Sequence, residues 1–149
     1  MKKSLFYILI LIIIAAGLFA AVTRKQPVAR VPAISATYAN ASTTDVVVSL
    51  PFPGAVTGKS FSVMGQARGP WYFEASFPVT VVDSSGKIIA TGQGKAQGDW
   101  MTADFVPFKA DISVPESFIG PATVIIKKDN PSGDPVHDAS VSIPITIEY

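Results

Sequence analysis

The chain has 149 residues, 48% of them apolar and 15% charged, with a formal net charge of +1. That length suits one domain with a leader segment, and the near-neutral balance gives no footing for a nucleic-acid binder. Cysteine is absent and His137 is the one histidine, which excludes disulfides, cysteine nucleophiles, thiolate metal sites and a two-histidine zinc site within one copy.

The apolar excess is concentrated near the start. Leu5 to Val22 is a run of 18 residues without a charge. As a helix it measures roughly 27 Å, close to the ~30 Å hydrocarbon layer of a bilayer. Lys2 and Lys3 precede it, and Arg24 and Lys25 follow it. The run exceeds the ~7–15-residue core of a cleaved signal peptide. Leu18 or Phe19 also occupies the −3 place of each small-residue cleavage site near its end. An uncleaved membrane anchor over residues 1–25 is therefore expected, with a secreted product if the leader is cleaved. No cysteine follows, which excludes a lipoprotein, and no acid heads the run as in a type IV pilin leader. Lys2, Lys3 and the amino terminus favour the domain lying outside the cytoplasm. Residues 26–44, QPVARVPAISATYANASTT, have two prolines and no sustained periodicity, and read as a flexible linker.

Residues 45–149 carry all eleven acids and seven of the bases, a net charge of −4. A net-negative body without a basic run argues against phosphate-backbone binding. Its apolar pattern is that of strands. Phe73, Ala75, Phe77, Val79 and Val81 alternate with mostly polar neighbours, as do Phe61, Val63, Gly65 and Ala67, and Val141, Ile143, Ile145, Ile147 and Tyr149. Val46–Leu50, Lys87–Thr91, Ala103–Ala110 and Ala122–Lys127 complete a set of seven. Pro51-Phe52-Pro53-Gly54, Asp83-Ser84-Ser85-Gly86, Ile119-Gly120-Pro121 and Asn130-Pro131-Ser132-Gly133 separate them. Short strands at this spacing predict an all-β antiparallel β-sandwich of about seven strands, behind one N-terminal transmembrane helix. Pro78 and Pro144 fall inside strands, so each is expected at a sheet edge or a bulge. The apolar frame changes around Val106-Pro107, which predicts a bulge or a crossing between sheets. Phe73 and Phe77 are the expected largest core contributors.

Ser49-Leu50-Pro51-x-Pro53-Gly54-Ala55-Val56, Val63-x-Gly65-x-Ala67, Trp71-Tyr72-Phe73-Glu74-Ala75-Ser76-Phe77-Pro78-Val79 and Asp83-x-x-Gly86 together resemble the Gmad2 family. This is the immunoglobulin-like domain of bacterial spore germination proteins, also found in other bacterial surface proteins. Phe105, Phe118-x-Gly120-Pro121-Ala122 and Ile143-Pro144-Ile145 fit as well, so the resemblance spans about residues 46–149. It implies an immunoglobulin-like fold and a bacterial cell-envelope setting, and it brings no catalytic residue and no cofactor. The GerMN domain that commonly accompanies this module in germination proteins has no room in the chain.

No catalytic constellation stands out. A serine triad needs a histidine base, and His137 falls in a long loop. An enzyme is not expected. Trp71, Tyr72 and Trp100 lie at loop ends, where aromatic rings stack on sugars or anchor a protein, or else close the ends of a core. They are the binding candidates. Asp129, Asn130, Asp134 and Asp138 offer oxygens to calcium, but their spacing is not that of an EF-hand loop and such residues are ordinary in turns; no metal is expected. The expectation is a non-catalytic, membrane-anchored module of the cell envelope, acting in binding or structural assembly. Its partner would be an envelope protein or, alternatively, peptidoglycan or exopolysaccharide.

Overall fold

The computed structural model describes residues 33–149. The expected anchor, with its membrane contact over Leu5–Val22, lies outside the described residues, as does the first part of the expected linker. Among the described residues no helix is long and apolar enough to cross a membrane.

Ile34–Tyr149 forms one compact unit, so the folded body begins eleven residues before the expected boundary at Asp45. Its nine strands are β1 (Thr37–Ala39), β2 (Val46–Leu50), β3 (Val56–Thr57), β4 (Ser60–Arg68), β5 (Ser76–Asp83), β6 (Ile88–Ala96), β7 (Phe105–Ser113), β8 (Gly120–Lys127) and β9 (Ser140–Ile147). They pair in the order β1-β9-β8-β5-β6-β7-β4-β2, antiparallel throughout, with short β3 added in parallel to β9. The all-β class and the seven expected strands are present. The two additional strands, β1 and β3, both lie against β9. β1 uses residues read as linker, and it covers backbone groups that β9 would otherwise leave as an open edge.

The sheet curls so that two layers face each other. β6 turns the corner: Ile88 to Lys95 pair with β5, and Lys95 and Ala96 pair with β7. The buried rows alternate along each strand: Val79 and Val81 on β5, Val106, Phe108, Ala110 and Ile112 on β7, Val124 and Ile126 on β8, and Val141, Ile143, Ile145 and Ile147 on β9. Period-two patterning therefore turned one face of each strand to the interior. Phe77 and Phe108 meet edge-to-face with centroids 4.9 Å apart. Each lies over a glycine directly across the ladder, Gly94 and Gly65 respectively. A methyl group at Gly94 would occupy the space of the Phe77 ring, so the missing side chains let the layers close on these two aromatics.

Three local expectations are corrected. Phe73 does not belong to the core row. Phe73 and Ser76 exchange two backbone hydrogen bonds of 3.0 and 3.1 Å across Glu74 and Ala75, whose φ values are 49° and 61°. This tight turn ends the alternation, and Phe73 stays 44% exposed while Phe77 is fully buried. No bulge or crossing occurs at Val106-Pro107, where β4 and β7 pair without interruption from Arg68↔Phe105 to Ser60↔Ser113. Phe105 faces the other side, under the Arg68 guanidinium at 4.4 Å, which explains the apparent frame change. The register shifts lie instead at Val48/Leu50 and Val81/Val82. Pro144 sits where β9 is uncovered between β1 and β3, and its carbonyl accepts from the Gly54 N–H at 2.7 Å. Pro78 lies one residue past the β5–β8 ladder. Both prolines thus avoid donating to a ladder.

Strand directions sort the connections to two ends. Ser42–Asp45, Gly69–Ala75, Gln97–Asp104 and Lys128–Ala139 gather at one end. Asp83–Lys87, Val114–Ile119 and Tyr149 gather at the other, and β1 runs away from that second end.

Candidate functional site

The four loops at the first end are stitched by backbone bonds. Arg68 N–H donates to Asp45 O at 2.9 Å, Gly69 N–H to Asp104 O at 3.2 Å, and Asp129 N–H to Trp71 O at 3.0 Å. Asn40 Nδ2 donates to Asp138 O at 3.0 Å. A concavity of about 370 Å³ lies among them, lined by Asn40, Asp45, Arg68, Trp71, Lys128 and His137 with their neighbours. Two further shallow concavities adjoin it and share Lys128.

Arg68 is the structural keystone of this end. It closes β4, its Nε donates to Thr44 O at 2.9 Å, and its Nη1 donates to Ala103 O at 3.1 Å. With the Phe105 ring beneath it, the guanidinium is held in one orientation by groups that leave its charge uncompensated.

The acids at the concavity accept hydrogen bonds within their own loops and keep their charge. Both the backbone N–H and the hydroxyl of Ser42 donate to Asp45 Oδ2, at 2.8 and 2.9 Å. Asn130 Nδ2 donates to Asp138 Oδ1 at 2.8 Å. Asp134 Oδ1 accepts from Val136 N–H at 3.0 Å and caps the 3-10 turn Pro135–His137. Asn130, Asp134 and Asp138 thus each give one side-chain oxygen to their own loop. Among the described residues no three of His, Cys, Asp and Glu gather as a metal-holding group.

The aromatic candidates divide. Trp71 and Tyr72 are buried, 3% and 4% exposed, and not presented for stacking. Their rings pack on Phe77 with centroids 6.3 and 5.0 Å away. The Tyr72 hydroxyl donates to Val106 O at 2.8 Å, and burial pushes its pKa up to about 12. They close the end of the core, contributing only margins to the concavities. Trp100 is half-buried against the same core. At this end Phe73 is an aromatic with an open surface; it lines an adjoining concavity, and the strand pattern had assigned it to the interior. Arg68 and Lys128 were missed as site residues, because a single cation on a strand end gives no signal until the fold supplies its neighbours.

A family model for the immunoglobulin-like domain of bacterial spore germination, Gmad2, matches residues 45–135. The nine-stranded curled sheet fits the immunoglobulin-like class that this description names. The match covers more than half of the chain, and the chain belongs to this family. No curated protein and no solved structure matches it.

Proposed function

We propose that the protein is a non-catalytic, membrane-anchored immunoglobulin-like module of the bacterial cell envelope, outside the cytoplasm, which offers its stitched loop end to an envelope partner. The observation that carries this reading is the separation of the two ends. The chain enters β1 from the end opposite the concavities, with Ile34 packed beside Gly54, and the uncharged run Leu5–Val22 lies upstream of that entry. Confinement near a membrane raises effective concentration toward the mM range, so a weak contact suffices. His137, standing exposed in a loop turn, is read as a loop residue without an acid–base task.

The test is alkaline carbonate extraction of membranes carrying the full chain, with external protease added to intact cells. Retention in the pellet and digestion of residues 33–149 from outside are expected. Release of the intact chain, or protection of the domain from protease, would overturn the reading. The second reading is carbohydrate binding to peptidoglycan or exopolysaccharide. The open concavity at the loop end favours it, and retention of the chain on purified cell wall tests it.

A further inference from the structure

We infer that the side of the domain where the chain enters, built on Ile34, Phe52 and Val56, rests on the lipid surface of the membrane, with these side chains dipping among the acyl chains. This rests on the reading of the chain as membrane-anchored and adds which face of the module meets the bilayer.

The fold displays these apolar residues together. Ile34, Phe52 and Val56 are 61–62% exposed, and they gather around one turn. Gly54, with φ 82°, lies so close to the Ile34 side chain that a Cβ built on it would stand 3.2 Å from Ile34 Cδ1. Phe52 precedes that glycine by two residues and Val56 follows it by two. The turn is fixed in place: Ala55 N–H donates to Phe52 O at 3.0 Å, Gly54 N–H to Pro144 O at 2.7 Å, and Thr146 N–H to Ala55 O at 2.9 Å. Beyond β3, Lys59 N–H donates to Tyr149 O at 3.2 Å, and Lys59 Nζ donates to Phe118 O. Ile119 and Tyr149, both exposed, thus extend the apolar surface toward the end of β9. Exposed apolar side chains gathered on a small domain mark an interaction surface. The loop end also exposes Phe73, Met101 and Val136, but one on each of three loops.

Chain length names the occupant. Residues 23–33 separate the uncharged run Leu5–Val22 from Ile34, the first residue of the compact unit. Fully extended they span at most about 40 Å, so in an anchored chain Ile34 stays within that reach of the bilayer. The tether makes the contact intramolecular, and a small apolar surface then suffices to hold it. Charge does not select the lipid. Asp83, Glu116 and Glu148 stand at this end together with Lys59 and Lys87, so no excess of cations draws it to anionic headgroups. The apolar side chains carry the contact, and the Tyr149 ring suits the headgroup level, where one edge is wet and the rest apolar.

The test places the full chain in vesicles of phosphatidylcholine, plain or brominated on the acyl chains near the headgroup. Bromine quenches a tryptophan only at close contact. Trp71 and Trp100 lie at the loop end and are the chain's two tryptophans, so the parent is expected to keep its emission. Phe52→Trp keeps a ring at the surface and is expected to lose up to about one third of its emission, the share of one tryptophan among three. Adding Ile34→Asn and Val56→Asn is expected to halve that loss or better. The three positions are exposed, thermal melts check that each variant folds, and Tyr149→Trp gives the same reading should Phe52→Trp not fold. Equal emission from plain and brominated vesicles, or quenching indifferent to the asparagines, would overturn the inference. Quenching of the parent would do so too, since the loop end would then face the lipid. A blue-shifted but unquenched Phe52→Trp would do the same, as the mark of a second copy on this surface. Carbonate washing of the vesicles separates the two readings: a chain that stays anchored yet unquenched loses this inference alone, and a chain washed off loses the anchor reading with it.

Discussion

Replacing Phe77 and Phe73 separately by alanine tests the turn at Glu74-Ala75 and the packing built upon it. Phe77 is fully buried and touches Trp71, Tyr72 and Phe108 in three aromatic pairs. Truncating such a ring removes its transfer free energy and leaves a cavity, which together cost about 3–5 kcal/mol. Phe73 is 44% exposed, so its truncation forfeits only part of the ~1.5–3 kcal/mol of a fully buried side chain, about 0.8–1.7 kcal/mol. For a domain near 100 residues each kcal/mol moves Tm by ~4–8 °C, so the two variants should melt at least ~5 °C apart. Urea unfolding of residues 33–149, the compact unit with its own core, gives both costs directly. Phe77→Leu supplies a milder point on the same scale should the alanine variant unfold. Equal costs at the two positions would refute the turn, since a strand running unbroken from Phe73 buries both rings alike.

Three further outcomes are expected. Gly94→Ala puts a methyl group where the Phe77 ring lies and should destabilise by about 1–3 kcal/mol through overpacking, read by urea unfolding. Thr57 Oγ1 is buried without a hydrogen-bond partner, so Thr57→Val should add about 1 kcal/mol of stability, read as a raised urea midpoint, through removal of an unsatisfied polar atom. Tyr72, held up to about 12 by burial, titrates near 10 in an unfolded chain. Between those values the unfolded state binds fewer protons than the native state, so stability falls as pH rises, by ~2–3 kcal/mol across the window. Alkaline unfolding curves of the parent and Tyr72→Phe should converge over that range, and parallel curves would refute the burial of the hydroxyl.

The strands were legible because their burial repeats every second residue, as in Val141, Ile143, Ile145 and Ile147. The errors fell where backbone geometry overrode that pattern. Glu-Ala is not a pair that announces a turn with two positive φ values, since asparagine and glycine usually supply them. The fold imposes the turn here through pairing: Ala75 O accepts from Ala96 N–H at 2.8 Å. The change of frame at Phe105 marked a ring laid outward against Arg68, and apolar identity alone does not say which face a residue takes. β1 was invisible because three residues, Thr37–Ala39, are too few for a period to show.

The site was the least legible part, and the reason is physical. Aromatic residues near loops are the usual markers of a binding face, yet a small sandwich must also close the ends of its own core. Trp71 and Tyr72 do this, and the Tyr72 hydroxyl is bonded to Val106 O as part of the closure. With those rings committed inward, the loop end has mainly charge, the open Phe73 ring and a shallow track with which to recognise a partner. Cation and carboxylate stand side by side there: Asp45 and Asp138 accept from their own loops and keep their charge, and Arg68 is fastened by backbone carbonyls. The same bonds that stitch Thr44 and Ala103 to the end of β4 therefore set the guanidinium in place, so the closure of this end depends on one residue.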